Sequence, residues 1–427
     1  MKDTIHVHDR EQLKLKLIRD FRVFYKTYKE WIELFMDAME NRNVYEELVR
    51  RVLVAAEDAG FTGNVWQCVI TESLLLDENP FSLAAEHREE VKGSIREYAL
   101  NAMIALDSFK DLPGSANFEF YTAATDGKKY SPLIREAIME HSKRMWSATD
   151  PEDRLKVIEH FYRDYGVGCL GLHRAFRVGE GGEIVPILNV ASCSLDNLVG
   201  YERQKQMLCE NTEAFLAGRR ANNVLLYGEA GTGKSSSIRG ILHKYYDKGL
   251  RMIEVYKHQY KEIPQLIRNI KDRNYRFIIY LDDLSFEEFE LEYKYLKAII
   301  EGGLEERPEN VLIYSTSNRR HLVRESFNDR PESPLDKHKN ETVQEKLSLF
   351  ARFGVSIYYG APEQKEFYNI VETLAARYEL PYGSDELRLM ANRWELNHNG
   401  LSGRTAVQFI DYLRGRAEGD MDGRKEE

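Results

Sequence analysis

Hydrophobic positions in the first third of the chain recur three or four residues apart, which is the spacing of one face of a helix. Between residues 11 and 43 the sequence is highly charged, yet apolar and aromatic residues keep this interval: Leu13, Leu17, Phe21, Phe24, Tyr25, Tyr28, Trp31, Phe35 and Met39. The pattern predicts one long amphipathic helix. Residues 45–59, 91–109 and 131–146 repeat it. We therefore predict a mainly α-helical N-terminal domain over residues 1–165, with the aromatic stripe in its core.

The periodicity changes beyond residue 165. Closely spaced glycines predict a linker at residues 166–192. After it, short β-branched and apolar runs alternate with helical stretches, and five of these runs are strand-like: residues 223–227, 251–256, 277–281, 311–315 and 355–359. Strands joined by helical crossovers form a parallel sheet that is covered on both faces. The sequence thus predicts an α/β domain over residues 193–360 with a five-stranded parallel sheet.

The last part of the chain returns to helical spacing. Three stretches, at residues 363–378, 384–396 and 402–416, show it clearly. We predict that they form a small helical bundle over residues 361–416. The charged residues 417–427 are predicted to be a flexible tail.

Composition narrows the class of protein. The chain has 427 residues, of which 43% are hydrophobic, so it is long enough for two or three domains with separate cores. Its four cysteines are too few and too scattered for a disulfide framework, and no apolar segment is typical of a signal peptide or a membrane span. We therefore expect a cytoplasmic protein. The net charge of −10 does not favour nucleic acid as a partner and points to protein partners instead.

One segment connects this architecture with a specific chemistry. The sequence G-x-x-x-x-G-K-S directly follows the first predicted strand of the α/β domain and precedes a helical pattern. In this context it is a phosphate-binding loop, because its glycines let successive backbone N–H groups face an anion at a helix N-terminus. Lys234 is expected to reach the β- and γ-phosphates, and the Ser235 hydroxyl to ligate Mg²⁺. We assign nucleotide binding to Gly228, Glu229, Ala230, Gly231, Thr232, Gly233, Lys234, Ser235 and Ser236.

A second predicted strand supplies carboxylates, because the apolar run at residues 277–281 ends in Asp282 and Asp283. We expect this strand to lie next to the phosphate-loop strand and to deliver Asp282 to the Mg²⁺ shell. Asp283 is the candidate for polarising the attacking water, although its side chain is shorter than that of a glutamate. Glu287 and Glu288 are alternatives for this role.

Three more polar residues follow in an order that suits nucleotide hydrolysis. Asn318, or failing that Thr316, stands at the end of the next predicted strand and would orient the hydrolytic water. Arg352 precedes the last strand, and Arg404 opens a helix of the C-terminal bundle. A guanidinium can neutralise charge that spreads over the γ-phosphate in the transition state. Each arginine alone is more typical of an ordinary surface residue, but after the two earlier motifs both become catalytic candidates.

The order of these motifs resembles that of an AAA+ ATPase domain. More narrowly, the segments N-T-E-A-F-L-A-G-R-R-A-N-N-V-L-L-Y-G, L-D-D-L-S-F-E and S-T-S-N-R-R-H-L are similar to a bacterial family of AAA+ ATP-binding proteins known only as a domain of unknown function. The resemblance implies an α/β ATPase core with a helical lid. It also implies roles for six residues: Leu198, Val199 and Gly200 near the adenine, Asn318 as sensor 1, Arg352 as an arginine finger and Arg404 as sensor 2.

The resemblance further implies ATP and Mg²⁺ as cofactors and a homo-oligomer, since an arginine finger normally reaches into the neighbouring subunit. The first hypothesis for function is Mg²⁺-dependent ATP hydrolysis that remodels or loads a protein client. A slowly hydrolysing, nucleotide-gated switch is an alternative, because Asp283 stands in place of a glutamate. A DNA-associated loader is another, with Arg319, Arg320 and Arg324 as the contact.

Overall fold

The computed structural model describes residues 2–87, 90–111, 118–188, 190, 193–284, 295–297, 299–300, 308–318, 352–398 and 400–422. The chain divides into two compact units. One comprises Met1–Arg174 with Pro186–Asn189, and the other comprises Ala175–Val185 with Val190–Glu427. Among the described residues, no helix combines the length and the apolar character needed to cross a bilayer.

The first unit is helical, as its periodicity predicts. Its elements are α1 Lys2–Asp20, α2 Tyr25–Thr27, a π-helical turn at Tyr28–Ile32, α3 Glu33–Ala38, α4 Arg42–Ala59, β1 Thr62–Gly63, α5 Val65–Leu76, α6 Pro80–Glu86, α7 Ser94–Ala105, a 3-10 turn at Leu106–Phe109, β2 Tyr121–Thr122, α8 Pro132–Ser147, α9 Pro151–Asp164 and α10 Gly168–Leu172. Their buried side chains form one hydrophobic core, which includes Trp66, Phe81 and Phe161.

The single long helix predicted between residues 11 and 43 is wrong, because the chain turns between α1 and α2. Lys14 on α1 forms an ion pair with Asp37 on α3, at 2.9 Å from Nζ to Oδ1. In a straight helix these two residues would stand about 35 Å apart. The turn lets both halves of the aromatic stripe reach the same core, and its first and last residues, Phe21 and Phe24, are completely buried.

The second unit is built on a seven-stranded sheet. Its strands are β3 Ala175–Val178, β4 Ile184–Pro186, β5 Val224–Gly228, β6 Leu250–Glu254, β7 Arg276–Leu281, β8 Val311–Ser317 and β9 Val355–Tyr359. They lie in the order β4-β3-β6-β7-β8-β5-β9, and the pairs from β3 to β9 are parallel. All five predicted strands are present, and the predicted α/β class is confirmed.

The two additional strands fall within residues 166–192, which the glycines predicted to be a linker. β3 pairs with β6, with Phe176 opposite Ile253, and its buried residues include Ala175, Phe176 and Val178. So short a strand gives too little periodicity to be distinguished from a loop. The segment is therefore largely structured, and the change of unit falls at Arg174 and Ala175.

Helices cover the sheet and form the C-terminal bundle. They are α11 Glu202–Leu216, α12 Lys234–Tyr245, α13 Ile263–Ile270, α14 Gln364–Arg377, α15 Ser384–Asn397 and α16 Gly403–Asp422, with 3-10 turns at Glu180–Gly182, Leu195–Asn197, Tyr246–Lys248 and Lys257–Glu262. The last three helices pack around Phe367, Leu387 and Phe409, as predicted for the lid. α16 continues to Asp422, so it includes the first six residues of the segment predicted to be a tail.

The sheet brings three strand ends together. Ser315 on β8 has Leu225 of β5 on one side and Leu281 of β7 on the other. β8 thus separates the phosphate-loop strand from the acidic strand, and the expectation that these two strands are neighbours is wrong. Because parallel strands end at the same edge of a sheet, the segments that follow β5, β7 and β8 meet there.

Candidate functional site

The phosphate loop leaves the end of β5 and enters α12 through two glycines with positive φ. Gly231 has a φ of +76° and Gly233 a φ of +92°, angles that residues with side chains rarely adopt. A Cβ on Gly233 would collide with Leu198, and a Cβ on Gly231 would press against Ser402 and Arg404. The glycines therefore allow both the curl of the loop and the close approach of its neighbours.

Lys234 begins α12 with its side chain turned back over the loop. The residue is 5% exposed, and its Nζ donates to the carbonyl oxygens of Gly228 and Glu229, at 3.1 and 2.6 Å. Burial lowers the pKa of Lys234, and the charges of Asp283, Glu229 and Asp282 oppose this shift. An ammonium group that is buried against carbonyl oxygens favours the approach of an anion.

Asp282 is held by several donors at the end of β7. Its Oδ1 accepts hydrogen bonds from Ser235 Oγ at 2.9 Å, from Thr316 Oγ1 at 2.6 Å and from the N–H of Asp283 at 3.2 Å. Burial alone would raise the pKa of Asp282, but side-chain hydrogen bonds, foremost that from Thr316, lower it overall. The carboxylate is therefore charged and lies against the Ser235 hydroxyl.

The Ser235 and Asp282 pair fits Mg²⁺. A hydroxyl and a carboxylate are hard oxygen donors, which this cation prefers. The two side chains come from different elements, the start of α12 and the end of β7, yet their oxygens are 2.9 Å apart. The residues present are therefore suited to hold the cation that a bound triphosphate requires.

Asp283 has a φ of +51°, which is uncommon for a residue other than glycine. Its N–H donates to Thr316 Oγ1 at 2.9 Å, and its Oδ1 accepts from Asn318 Nδ2 at 2.8 Å. Thr316 is buried, and its hydroxyl is engaged with the two aspartates. Of the two residues considered for orienting a water, Asn318 lines the cavity described below, and Thr316 lies behind the aspartates.

The C-terminal bundle contacts the phosphate loop through its backbone. The N–H of Arg404 donates to the carbonyl oxygen of Gly231 at 3.0 Å. Ser402 caps the start of α16, because its Oγ accepts a hydrogen bond from the N–H of Thr405 at 3.0 Å. The first turn of α16 is thus held directly against the loop.

These elements surround a cavity of about 460 Å³. Part of its wall is polar and consists of the phosphate loop, the two aspartates and Asn318. Apolar side chains also line it, namely Val199, Ile370, Leu374 and Val407. The volume lies in the range of about 300–1,000 Å³ that is typical of small-molecule sites. A cavity that combines a phosphate loop with apolar side chains has the character expected for a nucleotide.

Most residues that the sequence assigns to the site form the cavity wall. They are Val199, Gly231, Thr232, Gly233, Lys234, Ser235, Ser236, Asp282, Asp283, Asn318 and Arg404. Five described residues from the same assignment are not part of this wall: Gly200, Gly228, Glu229, Ala230 and Arg352. Of these, Arg352 is exposed to solvent. Glu287, Glu288, Arg319, Arg320 and Arg324 lie outside the described residues.

The wall also contains residues that sequence reasoning did not identify. They are Asn197, Tyr201, Arg239, Ile370, Leu374, Gly403, Val407 and Gln408. Leu198, which the resemblance placed near the adenine, lines the wall as well. Ile370 and Leu374 are one turn apart on α14, as are Arg404 and Gln408 on α16. Helical periodicity identifies such positions as facing inward, but core residues of the bundle show the same periodicity. The sequence alone therefore could not distinguish cavity-wall residues from core residues.

A phosphate loop after a central strand, an acidic strand end and a helical lid over the loop define a P-loop α/β protein of the AAA+ type. The chain belongs to the family described as protein of unknown function DUF815, which matches residues 172–417, more than half of the chain. The resemblance to an uncharacterised family is thereby confirmed. No curated protein matches the sequence.

Solved structures include similar proteins at low identity. One is the RuvB Holliday junction branch migration motor of Thermotoga maritima, with 16% identity and a TM-score of 0.36 over 53% of this chain and 65% of that chain. A mutant of the same RuvB has 15% identity and a TM-score of 0.37 over 53% of this chain and 66% of that chain. In both cases the match spans less than two thirds of the RuvB chain.

Proposed function

We propose that this protein binds ATP with Mg²⁺ and hydrolyses it in the cytoplasm, and that hydrolysis remodels or loads a protein client. The observation that carries the proposal is the meeting of three groups in the wall of a single cavity: Lys234, the Ser235 and Asp282 pair, and the Asp283 and Asn318 pair. In P-loop nucleotidases, residues of these types bind the phosphates, hold the metal and orient the attacking water.

The phosphates would bind at the start of α12. Backbone N–H groups of the loop and the positive end of the helix attract them, and Lys234 exchanges its carbonyl partners for phosphate oxygens. Ser235 and Asp282 would hold Mg²⁺, which would supply charge neutralisation at the phosphates. The adenine would lie against the apolar side chains of the wall, near Val199.

Hydrolysis needs a water in line with the γ-phosphate. We assign Asp283 to accept a hydrogen bond from this water, and Asn318 to fix the orientation of the Asp283 carboxylate, which it already contacts at 2.8 Å. Arg404 enters the wall from the lid, where its guanidinium can stabilise negative charge on the phosphates.

Arg352 is assigned to the site of a neighbouring subunit. It is exposed and does not belong to the cavity wall, which suits a residue that acts outside its own subunit. The active form is then a homo-oligomer, in which Arg352 of one subunit completes the nucleotide site of the next. The helical first unit is the part we assign to recognition of the client.

ATP hydrolysis by the purified protein in the presence of Mg²⁺ tests this proposal. Lys234→Ala should abolish nucleotide binding, and Asp283→Asn should keep binding but lower the turnover by about 100-fold or more. Lys244→Ala is a matched control, because Lys244 is exposed on the same helix and outside the cavity wall. Wild-type protein that binds nucleotide in no assay, with or without Mg²⁺, would refute the proposal.

A nucleotide-gated switch with slow hydrolysis is a second candidate function. It is favoured by the shorter acid at Asp283, whose Oδ1 is already engaged by Asn318. Turnover that Asp283→Asn leaves unchanged, together with nucleotide binding that Lys234→Ala abolishes, would support the switch. A large gain in turnover from Asp283→Glu would indicate that the reach of the acid limits hydrolysis.

A further inference from the structure

Tyr280 on β7 carries a buried hydroxyl that has no hydrogen-bond partner. The residue is 3% exposed, and its Oη forms no hydrogen bond within the described part of the chain. Buried hydroxyl groups are nearly always paired in native proteins, because an unpaired one has lost its water without compensation. A partner that arrives with a ligand would account for this exception.

The position of Tyr280 indicates which ligand. Tyr280 and Asp282 are two residues apart on one strand, so their side chains leave the same face of the sheet. On this face the Asp282 carboxylate meets Ser235 Oγ at 2.9 Å, yet the Tyr280 hydroxyl forms no hydrogen bond of normal geometry with either residue.

The neighbouring strand provides a direct comparison. Tyr314 of β8 is the register partner of Tyr280 and is equally buried. Its hydroxyl is paired, with Thr212 Oγ1 at 2.8 Å and with Asn211 Nδ2 at 3.1 Å. Of these two neighbouring buried tyrosines, the described part of the chain thus provides hydrogen-bond partners for Tyr314 and none for Tyr280.

Other buried polar atoms without partners do not share this setting. In the described residues they belong to Asn310, Ser315 and Trp394, none of which lies on β7 beside a candidate metal ligand. Of the four, Tyr280 is the one that shares a strand face with Asp282. The unpaired hydroxyl and the candidate metal ligands are therefore parts of one arrangement.

We propose that Tyr280 is a positioning residue of the metal site, and that its hydroxyl donates a hydrogen bond to an oxygen atom beside the cation only when Mg²⁺ and nucleotide are bound. The oxygen is that of the Asp282 carboxylate or of a water held by the cation. This inference rests on the proposed function, because it requires Ser235 and Asp282 to hold the metal. Groups that support a metal ligand in this way typically change metal affinity about 10- to 100-fold.

Tyr280→Phe tests the proposal, because it removes only the hydroxyl. In protein free of metal and nucleotide, the unfolding temperature should stay unchanged or rise, since an unpaired polar atom is lost. With ADP present, the Mg²⁺ concentration that gives half of the maximal stabilisation should increase about 10-fold. ADP binding in the presence of a chelator should not change.

Tyr314→Phe is the matched control, because it removes a buried hydroxyl that is paired in the free protein. It should lower the unfolding temperature by about 2 °C or more and leave the Mg²⁺ requirement unchanged. If Tyr280→Phe lowers the unfolding temperature of the free protein as Tyr314→Phe does, or has the wild-type Mg²⁺ requirement, the role of Tyr280 is refuted while the proposed function stands. Wild-type protein that gains no stability from Mg²⁺ with ADP would refute both.

Discussion

Thr316 organises the site without entering the cavity. Its hydroxyl donates to Asp282 and accepts from the N–H of Asp283, and its carbonyl oxygen accepts from the N–H of Leu284 at 2.6 Å. Three consecutive residues after β7 are thus fixed by one residue of β8. The unusual φ of Asp283 is held in place by this contact.

Replacing Thr316 by valine keeps the shape of the side chain and removes its hydroxyl. We expect Thr316→Val to lower the free energy of unfolding by about 1–3 kcal/mol. The N–H of Asp283 loses its acceptor, and the Asp282 carboxylate loses one of its donors. Turnover of ATP should fall as well, because the backbone of Asp283 is no longer fixed. Chemical denaturation and a steady-state ATPase assay measure the two effects.

Thr212→Val provides the comparison for Thr316→Val. The Thr212 hydroxyl is also buried and also makes two hydrogen bonds, to the Leu208 carbonyl and the Tyr314 hydroxyl, each at 2.8 Å. Both variants should be less stable, but only Thr316→Val should lose turnover per folded molecule. Equal turnover in the two variants would contradict the role given to Thr316.

At this scale the sequence predicted the residues whose chemistry is contained in a motif. Lys234, Ser235 and Asp282 follow from the phosphate loop and the acidic strand end. The supporting roles of Thr316 and Tyr280 could not be predicted, because they depend on which strands are neighbours and on which side chains share a face. Periodicity reports burial, but it does not report which hydroxyl is paired.

Among the elements, the contact between the phosphate loop and α16 links the lid to the nucleotide. Gly231→Ala should strain the loop, since its φ is +76°, and its new Cβ would press on Ser402 Oγ at 3.0 Å and on Arg404 Cβ at 3.1 Å. We expect faster hydrogen exchange at the start of α16 and weaker ADP binding. Exchange measured by mass spectrometry would locate the effect.

Gly249→Ala separates backbone strain from lid contact. Gly249 has a φ of +87°, but a Cβ there meets no atom within 4 Å. Both variants should therefore lose stability from the unfavourable φ, by about 1–2 kcal/mol. Only Gly231→Ala should speed exchange in α16, and the same increase in both variants would argue against a specific contact between loop and lid.

Helix α8 of the first unit carries a pH-sensitive group. His141 is 7% exposed and has Phe161 and Tyr165 as ring neighbours, and burial lowers its pKa. A depressed pKa means that the unfolded chain takes up a proton more readily than the folded one. The contribution of His141 to stability is therefore present above its ordinary pKa and is lost as the pH falls below it.

His141→Phe should reduce this pH dependence. Between about pH 7.5 and about pH 5.5, wild-type protein should lose more free energy of unfolding than the variant, because only the wild type has the imidazole to protonate. Denaturation monitored at both pH values measures the difference. An identical loss in the two proteins would show that His141 does not contribute.

Most elements could be predicted from periodicity, and the exceptions have a common cause. The five central strands and the lid helices follow from their apolar spacing. The turn between α1 and α2 could not be predicted, because the aromatic spacing continues through it, and β3 is too short to give a period. Where tertiary packing determines the backbone conformation, the local pattern of apolar residues does not predict that conformation.

For the whole molecule, the assignment of Arg352 makes hydrolysis depend on assembly. Arg352→Ala and Lys234→Ala should each be inactive alone. The first variant lacks the arginine finger, and the second does not bind nucleotide. A mixture should regain part of the activity, because an intact Arg352 from one variant meets an intact Lys234 in the other. A mixture as inactive as its components would show that Arg352 does not act between subunits.

Nucleotide and Mg²⁺ are proposed to bind where the phosphate loop meets Lys234. The decisive experiment is a calorimetric titration of ADP and Mg²⁺ into the full chain, with Lys234→Ala and Lys244→Ala alongside. We predict saturable binding by the wild type and by Lys244→Ala, and none by Lys234→Ala. No binding by the wild type at about 1 mM nucleotide, or unchanged binding by Lys234→Ala, would contradict the account.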